Sequence, residues 1–194
     1  MNNKILRITT IGLMSALAYV SFTFLQIKIP TPGGYTSFHL GNTFVVLAAL
    51  LLGGLPGGIA GAIGMGISDL LDPIYVTYAP KTIILKLMIG LITGFVAHNI
   101  FHIKDLKGKK LYTSVIISSI AGLFFNVLGE PLFSYFYNSI ILQAPVEAAK
   151  ALATWNGITT STNAIISVIV ASSLYLALQP ILKRNGIINK LLKR

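Results

Sequence analysis

Residues 69–86, DLLDPIYVTYAPKTIILK, decide how this chain folds. They close one apolar run and open another, so they cap two membrane helices on the same side. In a chain where charge is scarce, they also carry two carboxylates, two lysines, two tyrosines and two prolines. Pro80 suits the first turn of a helix, where its missing N–H costs nothing. Thr82 and Lys86 then lie four apart, on one face of that helix. At 1.5 Å per residue Lys86 stands about 9 Å beyond Pro80. An ammonium at that depth costs a few kcal/mol in hydrocarbon unless it snorkels outward or meets partners inside the bundle. Both readings of Lys86 stay open at this point.

Composition sets the wider frame. The chain has 194 residues, 54% apolar and only 10% charged, with a mean hydropathy of +0.78. That excludes an ordinary soluble domain. A helical span needs about 20 apolar residues, so the length allows roughly five to seven spans and one membrane domain over residues 1–194. Without cysteine there is no disulfide framework and no thiolate nucleophile or metal ligand. The net charge of +10 sits in short clusters between apolar runs, which topology explains better than nucleic acid does.

The pattern predicts six spans. The first runs from about Ile5 to Ile27; Lys4 and Arg7 precede it as in a signal peptide, but its length is that of a retained span. Within it Gly12 and Ala16 have the spacing that lets another helix approach closely, and spacing alone favours packing inside the bundle. IKIPTPGGYTSFHLGN follows, a shaped non-helical segment that can fold over a cavity. A short helix spans about Thr43 to Leu52. The third helix runs from Pro56 to Leu71, with Gly57, Gly61 and Gly64 at helical spacing. The fourth runs from Pro80 to about Phe101, with Gly90 and Gly94 four apart. The fifth covers about Leu111 to Tyr137. A loop with its own short helix, in which Glu147 and Lys150 pair at i,i+3, leads to a sixth from about Thr154 to Leu182.

Lysine and arginine gather at the N-terminus, in the Lys104–Lys110 loop and in the tail. The opposite loops hold Lys28, Lys81 and Lys150. The positive-inside rule therefore predicts cytoplasmic termini, and the 69–86 stretch faces out.

That topology assigns depths to the polar groups. Asn126 and Glu130 lie in the outer half of the fifth helix, four apart on one face, and Pro131 predicts a kink and a free carbonyl there. Asn156, Thr159 and Asn163 share a face of the sixth helix, near Trp155. Asp69 ends the third helix, and His39 and Asn42 open the second. The inner halves are almost purely apolar. Polar groups from five helices thus converge at one depth, which predicts an outward-facing pocket for a small polar, aromatic ligand. Asn, Thr and His supply hydrogen bonds, and Trp155 and the tyrosines supply stacking. Interhelical hydrogen bonds and interfacial aromatics are the alternative.

Catalytic signatures are missing. No G-x-x-x-x-G-K-[ST] binds ATP, and no G-x-S-x-G forms a serine elbow. His98 and His102 are four apart without the glutamate of H-E-x-x-H, and their place at a helix end suits the dipole better than a metal. An aspartyl pair of Asp69 and Asp72 is remote. The sequence predicts no catalytic residue, metal site or cofactor.

HLGNTFVVLAALLLGGLPGGIAGAIGMGISDLL (39–71) and YAPKTIILKLMIGLITGF (78–95) resemble the substrate-binding S components of energy-coupling factor (ECF) vitamin importers. Within these the chain is most similar to a riboflavin-transporter-like branch that includes proteins for hydroxymethylpyrimidine and vitamin B6. The resemblance covers about Gly12 to Leu178. It implies a six-helix bundle in the plasma membrane, with a vitamin occluded near the outer face under the first loop. It also implies a transmembrane coupling subunit with two cytoplasmic ATPases as partners, which accounts for the missing ATP motif. The family's A-x-x-x-A docking motif falls on Gly12 and Ala16, with glycine in the first place, and this reverses the preference for internal packing. A B6-type pyridine or a hydroxymethylpyrimidine fits best, stacked on Trp155 or Tyr35 and bonded to His39, Asn42, Asn126, Asn156, Thr159 and Asn163. Lys86 and Glu130 meet ligand groups or pair with each other. Riboflavin is the main competitor. A self-sufficient proton-coupled transporter titrating Glu130 or Asp69 is a further alternative.

Overall fold

The computed structural model describes residues 3–192. Helix α1 (Asn3–Thr23) leads into strands β1 (Ile27–Thr31) and β2 (Gly34–Phe38). Helices α2 (Gly41–Leu52), α3 (Gly54–Leu71), α4 (Ala79–Phe95), α5 (Gly108–Phe136), α6 (Val146–Arg184) and α7 (Ile187–Leu192) follow. One wider π-helical turn continues α4 through Val96–Ile100, and another continues α5 through Tyr137–Ile141. Five of these segments are long and apolar enough to cross a membrane, and α2 is a shorter apolar helix.

The expectation of an all-helical chain needs one amendment. The segment after α1 is an antiparallel hairpin, pairing Ile27 with Phe38 through to Thr31 with Gly34. Pro32 and Gly33 make its turn, and Gly34 takes φ 135°, which a residue with a Cβ rarely adopts. Gly33 lies against the first turns of α6, where an added Cβ would come within 2.8 Å of Leu152 Cβ. A hairpin of two strands is marginal by itself; here α6 supports it.

Helix α2 is the centre of the bundle. At about 18 Å it is too short to cross a hydrocarbon core of about 30 Å, yet every residue in it except Phe44 is buried. Its uniformly apolar run, LAALLL at residues 47–52, reads correctly as a helix enclosed by others. The glycines of α3 bring the neighbours in: Gly61 faces Val45 of α2, Gly58 faces Leu87 of α4, and Gly64 faces Ser15 and Ala18 of α1. A Cβ at Gly61 would stand 2.5 Å from Val45 Cγ2, so the approach depends on the missing methyl.

Helix α6 differs from the sequence reading. The short helix and sixth span expected on either side of residue 153 are one helix of 39 residues. Nothing between Leu152 and Thr154 breaks a helix, and the charged Glu147–Lys150 pair, 3.1 Å apart, only marks where it leaves the apolar core. Helix α5 stays helical through Pro131, facing Gly157 of α6, where an added Cβ would stand 3.8 Å from the ring.

Candidate functional site

The start of α2, the end of α3, the start of α4, the C-terminal half of α5 and the start of α6 meet under the hairpin. Between them lies a cavity of about 70 Å³. Its lining includes Tyr35, Thr36, Ser37 and His39 from the hairpin side, Asn42 from α2, and Met65 and Asp69 from α3. Tyr75, Tyr78, Lys81, Thr82 and Lys86 come from the 69–86 stretch, Glu130 from α5, and Leu152, Asn156, Thr159, Thr160 and Asn163 from α6.

The roof is tied to α6. Thr36 and Thr159 place their hydroxyls 2.7 Å apart. Asn163 accepts the His39 backbone N–H at 3.1 Å and donates to the Ser37 carbonyl at 3.0 Å. That spacing follows from the helix: Asn156, Thr159 and Asn163 recur at three and four, so they form one column along the face that meets β2. A salt bridge of 2.6 Å between Lys28 and Asp72 ties the hairpin to the loop after α3.

His39 is held as a neutral ring. Its Nδ1 accepts the Gly41 N–H at 3.2 Å, which leaves the proton on Nε2. Phe22 meets the ring edge to face at 4.6 Å between centroids. Burial, and then the charge of Lys86, push its pKa down to about 3 against the opposing pull of Glu130.

In the charged wall Lys86 takes the place expected of a residue held inside the bundle, but without the pairing to Glu130 that was the alternative. Glu130 pairs with Lys81, one turn nearer the start of α4, and not with Lys86. Lys86 is only 4% exposed, so it does not snorkel; it lines the cavity. Around the rim, Tyr78 donates to Asn138 Oδ1 at 2.9 Å. Asn138 in turn donates to the Ser134 carbonyl at 2.8 Å, and Asn156 donates to the Ser134 hydroxyl at 2.7 Å. These bonds join α4, α5 and α6 beside the cavity.

Of the residues expected at a binding site, Tyr35, His39, Asn42, Lys86, Glu130, Asn156, Thr159 and Asn163 come together in this lining. Two do not. Trp155 is 40% exposed and lies outside the lining, because it precedes Asn156 by one position and so points about 100° away around α6. Asn126 is buried but sits one turn deeper than Glu130, below the lining, and neither side-chain atom has a hydrogen-bond partner. Lys81, Thr82, Tyr75 and Tyr78 were not assigned to the site from sequence. Their signal was available: Tyr78, Thr82 and Lys86 repeat every fourth residue along one face.

The halves of the helices away from the hairpin also hold more polar groups than expected. Ser118 and Ser119 are buried there, and each bonds the carbonyl four residues back. Hydroxyls satisfied inside their own helix need no ligand, which separates them from the unpaired groups of the cavity.

Gly12 and Ala16 lie on an exposed face of α1 with Ile8 and Val20, and an added Cβ at Gly12 meets nothing within 4 Å. The contact of α1 inside the bundle is made instead by Ser15 and Ala18 against Gly64.

A half-polar cavity of this kind is suited to holding a small ligand by hydrogen bonds and ring contacts. Comparison with known proteins agrees in kind. The family described as ECF-type riboflavin transporter, S component, matches residues 2–180. A solved structure of ThiT from Listeria monocytogenes superposes with a TM-score of 0.53 at 17% identity, covering 99% of this chain and 100% of the other. An uncharacterized protein of Pyrococcus woesei is 27% identical over 133 residues, which is 63% of this chain and 82% of that protein.

Proposed function

Because the chain belongs to the family of ECF-type riboflavin transporter S components, we propose that it captures a vitamin or precursor with a single aromatic ring, a B6-type pyridine or a hydroxymethylpyrimidine, from outside the cell. It is a membrane component of a transporter and not an enzyme. It delivers its ligand inward together with an ECF coupling subunit and two ATPases, which supply the ATP-driven step that this chain has no motif for. In this reading the chain passes the membrane six times, the second pass being made by the short α2 enclosed within the protein rather than facing lipid, with both termini on the cytoplasmic side and the hairpin outside.

The observation that carries the ligand class is the cavity itself. Its lining is rich in hydrogen-bonding groups, and its volume of about 70 Å³ is smaller than the ~150 Å³ apolar cavity known to admit benzene. A single substituted ring requires modest opening of the hairpin, whereas a fused three-ring system with a side chain requires a much larger rearrangement. Tyr35 supplies ring contact from the roof, while His39 and Asn42 bond polar substituents, joined by the hydrogen-bonding capacity that Asn156, Thr159 and Asn163 keep beyond their bonds within the protein. The face of α1 bearing Gly12 and Ala16 is the docking surface for the coupling subunit, where small side chains allow backbones to approach.

Riboflavin is the second reading, favoured by the description of the matching family. Mass spectrometry of ligand retained by the purified chain, followed by calorimetric titration with pyridoxine, hydroxymethylpyrimidine and riboflavin, separates the two. Tight binding of riboflavin alone replaces the single-ring reading. A chain that binds no vitamin contradicts the function as a whole.

A further inference from the structure

Four groups in the cavity wall have no hydrogen-bond partner among the described residues, and their chemistry is complementary to a particular kind of ligand. Lys86 brings an ammonium with three donors; it makes no hydrogen bond or ion pair within the described residues, since the nearby carboxylate of Glu130 is taken by Lys81. Opposite in kind are Asp69 Oδ1 and Asn42 Oδ1, two acceptors that are fully buried and unpartnered. The Tyr75 hydroxyl is likewise buried without a partner. All four residues line the same cavity; by contrast Thr36 and Thr159, Tyr78 and Asn138, and Asn156 and Ser134 are already bonded to each other, and the Asn163 amide is bonded to the hairpin backbone.

An uncompensated buried charge is expensive, and a hydrogen bond made to one is about twice as strong as a neutral one. A neutral ring substituent offers Lys86 only a dipole. An anionic oxygen offers a full counter-charge. The same ligand has to present an N–H or O–H to Asp69 and Asn42, because an acceptor placed there would meet two lone-pair surfaces. A ligand carrying one net charge would leave either Lys86 or Asp69 the poorer for its arrival.

Resting on the reading of this cavity as a single-ring vitamin site, we infer that its preferred ligand is a hydroxypyridine bound as the oxido-pyridinium zwitterion. Its ring oxygen faces Lys86, and its protonated ring nitrogen or a neighbouring hydroxyl faces Asp69 and Asn42. Such a molecule is neutral in sum, so it can leave water at less cost than an ion and still match both the ammonium of Lys86 and the unpartnered oxygens of Asp69 and Asn42. An aminopyrimidine with a hydroxymethyl arm carries no acidic ring hydroxyl and leaves Lys86 without an anion.

The test pairs a change in the ligand with a change in the protein. Calorimetric titration of the purified full chain compares pyridoxine with its analogue in which hydrogen replaces the ring hydroxyl. The wild-type chain is expected to bind the analogue about 10- to 100-fold more weakly. Lys86→Met is expected to weaken pyridoxine by a similar factor and to leave the analogue nearly unchanged. The comparison on wild-type protein stands even where Lys86→Met fails to fold. Equal affinity for parent and analogue overturns the role of Lys86 and leaves the vitamin-binding function intact. So does a Lys86→Met chain that still prefers the parent. Binding of hydroxymethylpyrimidine or riboflavin but of neither pyridine overturns the zwitterion and redirects the ligand class. Absence of binding to every vitamin overturns the proposed function as well.

Discussion

Thr36 of β2 and Thr159 of α6 hold their hydroxyl oxygens 2.7 Å apart at the roof of the cavity, across 123 residues of chain. That bond, with the two made by Asn163, fastens the hairpin over a space too small for a substituted ring. In the proposed function, ligand access requires those bonds to loosen.

Thr36→Val removes one of them and keeps the shape of the strand. A buried hydrogen bond of this kind contributes about 0.5–1.5 kcal/mol net. Stopped-flow fluorescence is expected to show ligand release several-fold faster than wild type, with the fold intact by size-exclusion chromatography. Unchanged release kinetics would mean that the hairpin is not the barrier.

In the Lys81–Glu130 pair Lys81 is buried and Glu130 half-buried, so breaking it from one side leaves a charge in a largely desolvated wall. Glu130→Gln or Lys81→Met is expected to destabilise the protein by about 3–5 kcal/mol, and the double variant Lys81→Met/Glu130→Leu by much less than the sum. Thermal unfolding in detergent measures both. Additive losses would show that the two side chains act separately.

Asn126 is 1% exposed with both amide atoms unpartnered and lies below the cavity. Asn126→Ala is therefore expected to raise the melting temperature, because it removes a desolvated amide worth about 1–3 kcal/mol. Vitamin affinity should stay within a few-fold of wild type. A sharp fall in affinity would place Asn126 in the ligand site after all.

Gly12→Leu and Ala16→Leu put bulk on a face of α1 that touches nothing inside the bundle. Ligand binding by the purified chain should be unaffected, while uptake by vesicles containing the coupling subunit and ATPases should be abolished. Loss of binding and uptake together would argue that this face supports the fold.

His39 stays neutral in the folded protein down to about pH 3, whereas in the unfolded chain it gains a proton near pH 6.5. Between these values the unfolded state binds more protons, so the stability contributed by His39 is complete above pH 6.5 and falls as pH drops toward 3. A urea midpoint that declines from pH 7 to pH 5, and declines less steeply in His39→Gln, is the expected result. Equal slopes for the two chains would remove His39 from the account.

Much of this architecture was written in local pattern. Apolar runs of spanning length, the glycine spacing of residues 57–64 and the four-residue repeat at Asn156–Asn163 depend only on helix period and hydropathy. For that reason the helices, the close packing of α3 and the polar column of α6 were legible from the residues alone. Pairing across the bundle was not. Whether Glu130 meets Lys81 or Lys86 depends on how far α5 slides along α4. Trp155 falls outside the cavity through a rotation of one residue, and the hairpin needs α6 beneath it before two short strands with a proline hold together. Sequence determined which helix faces were polar and where along each helix they fall; only tertiary structure decided which of those groups are already paired and which are left without a partner.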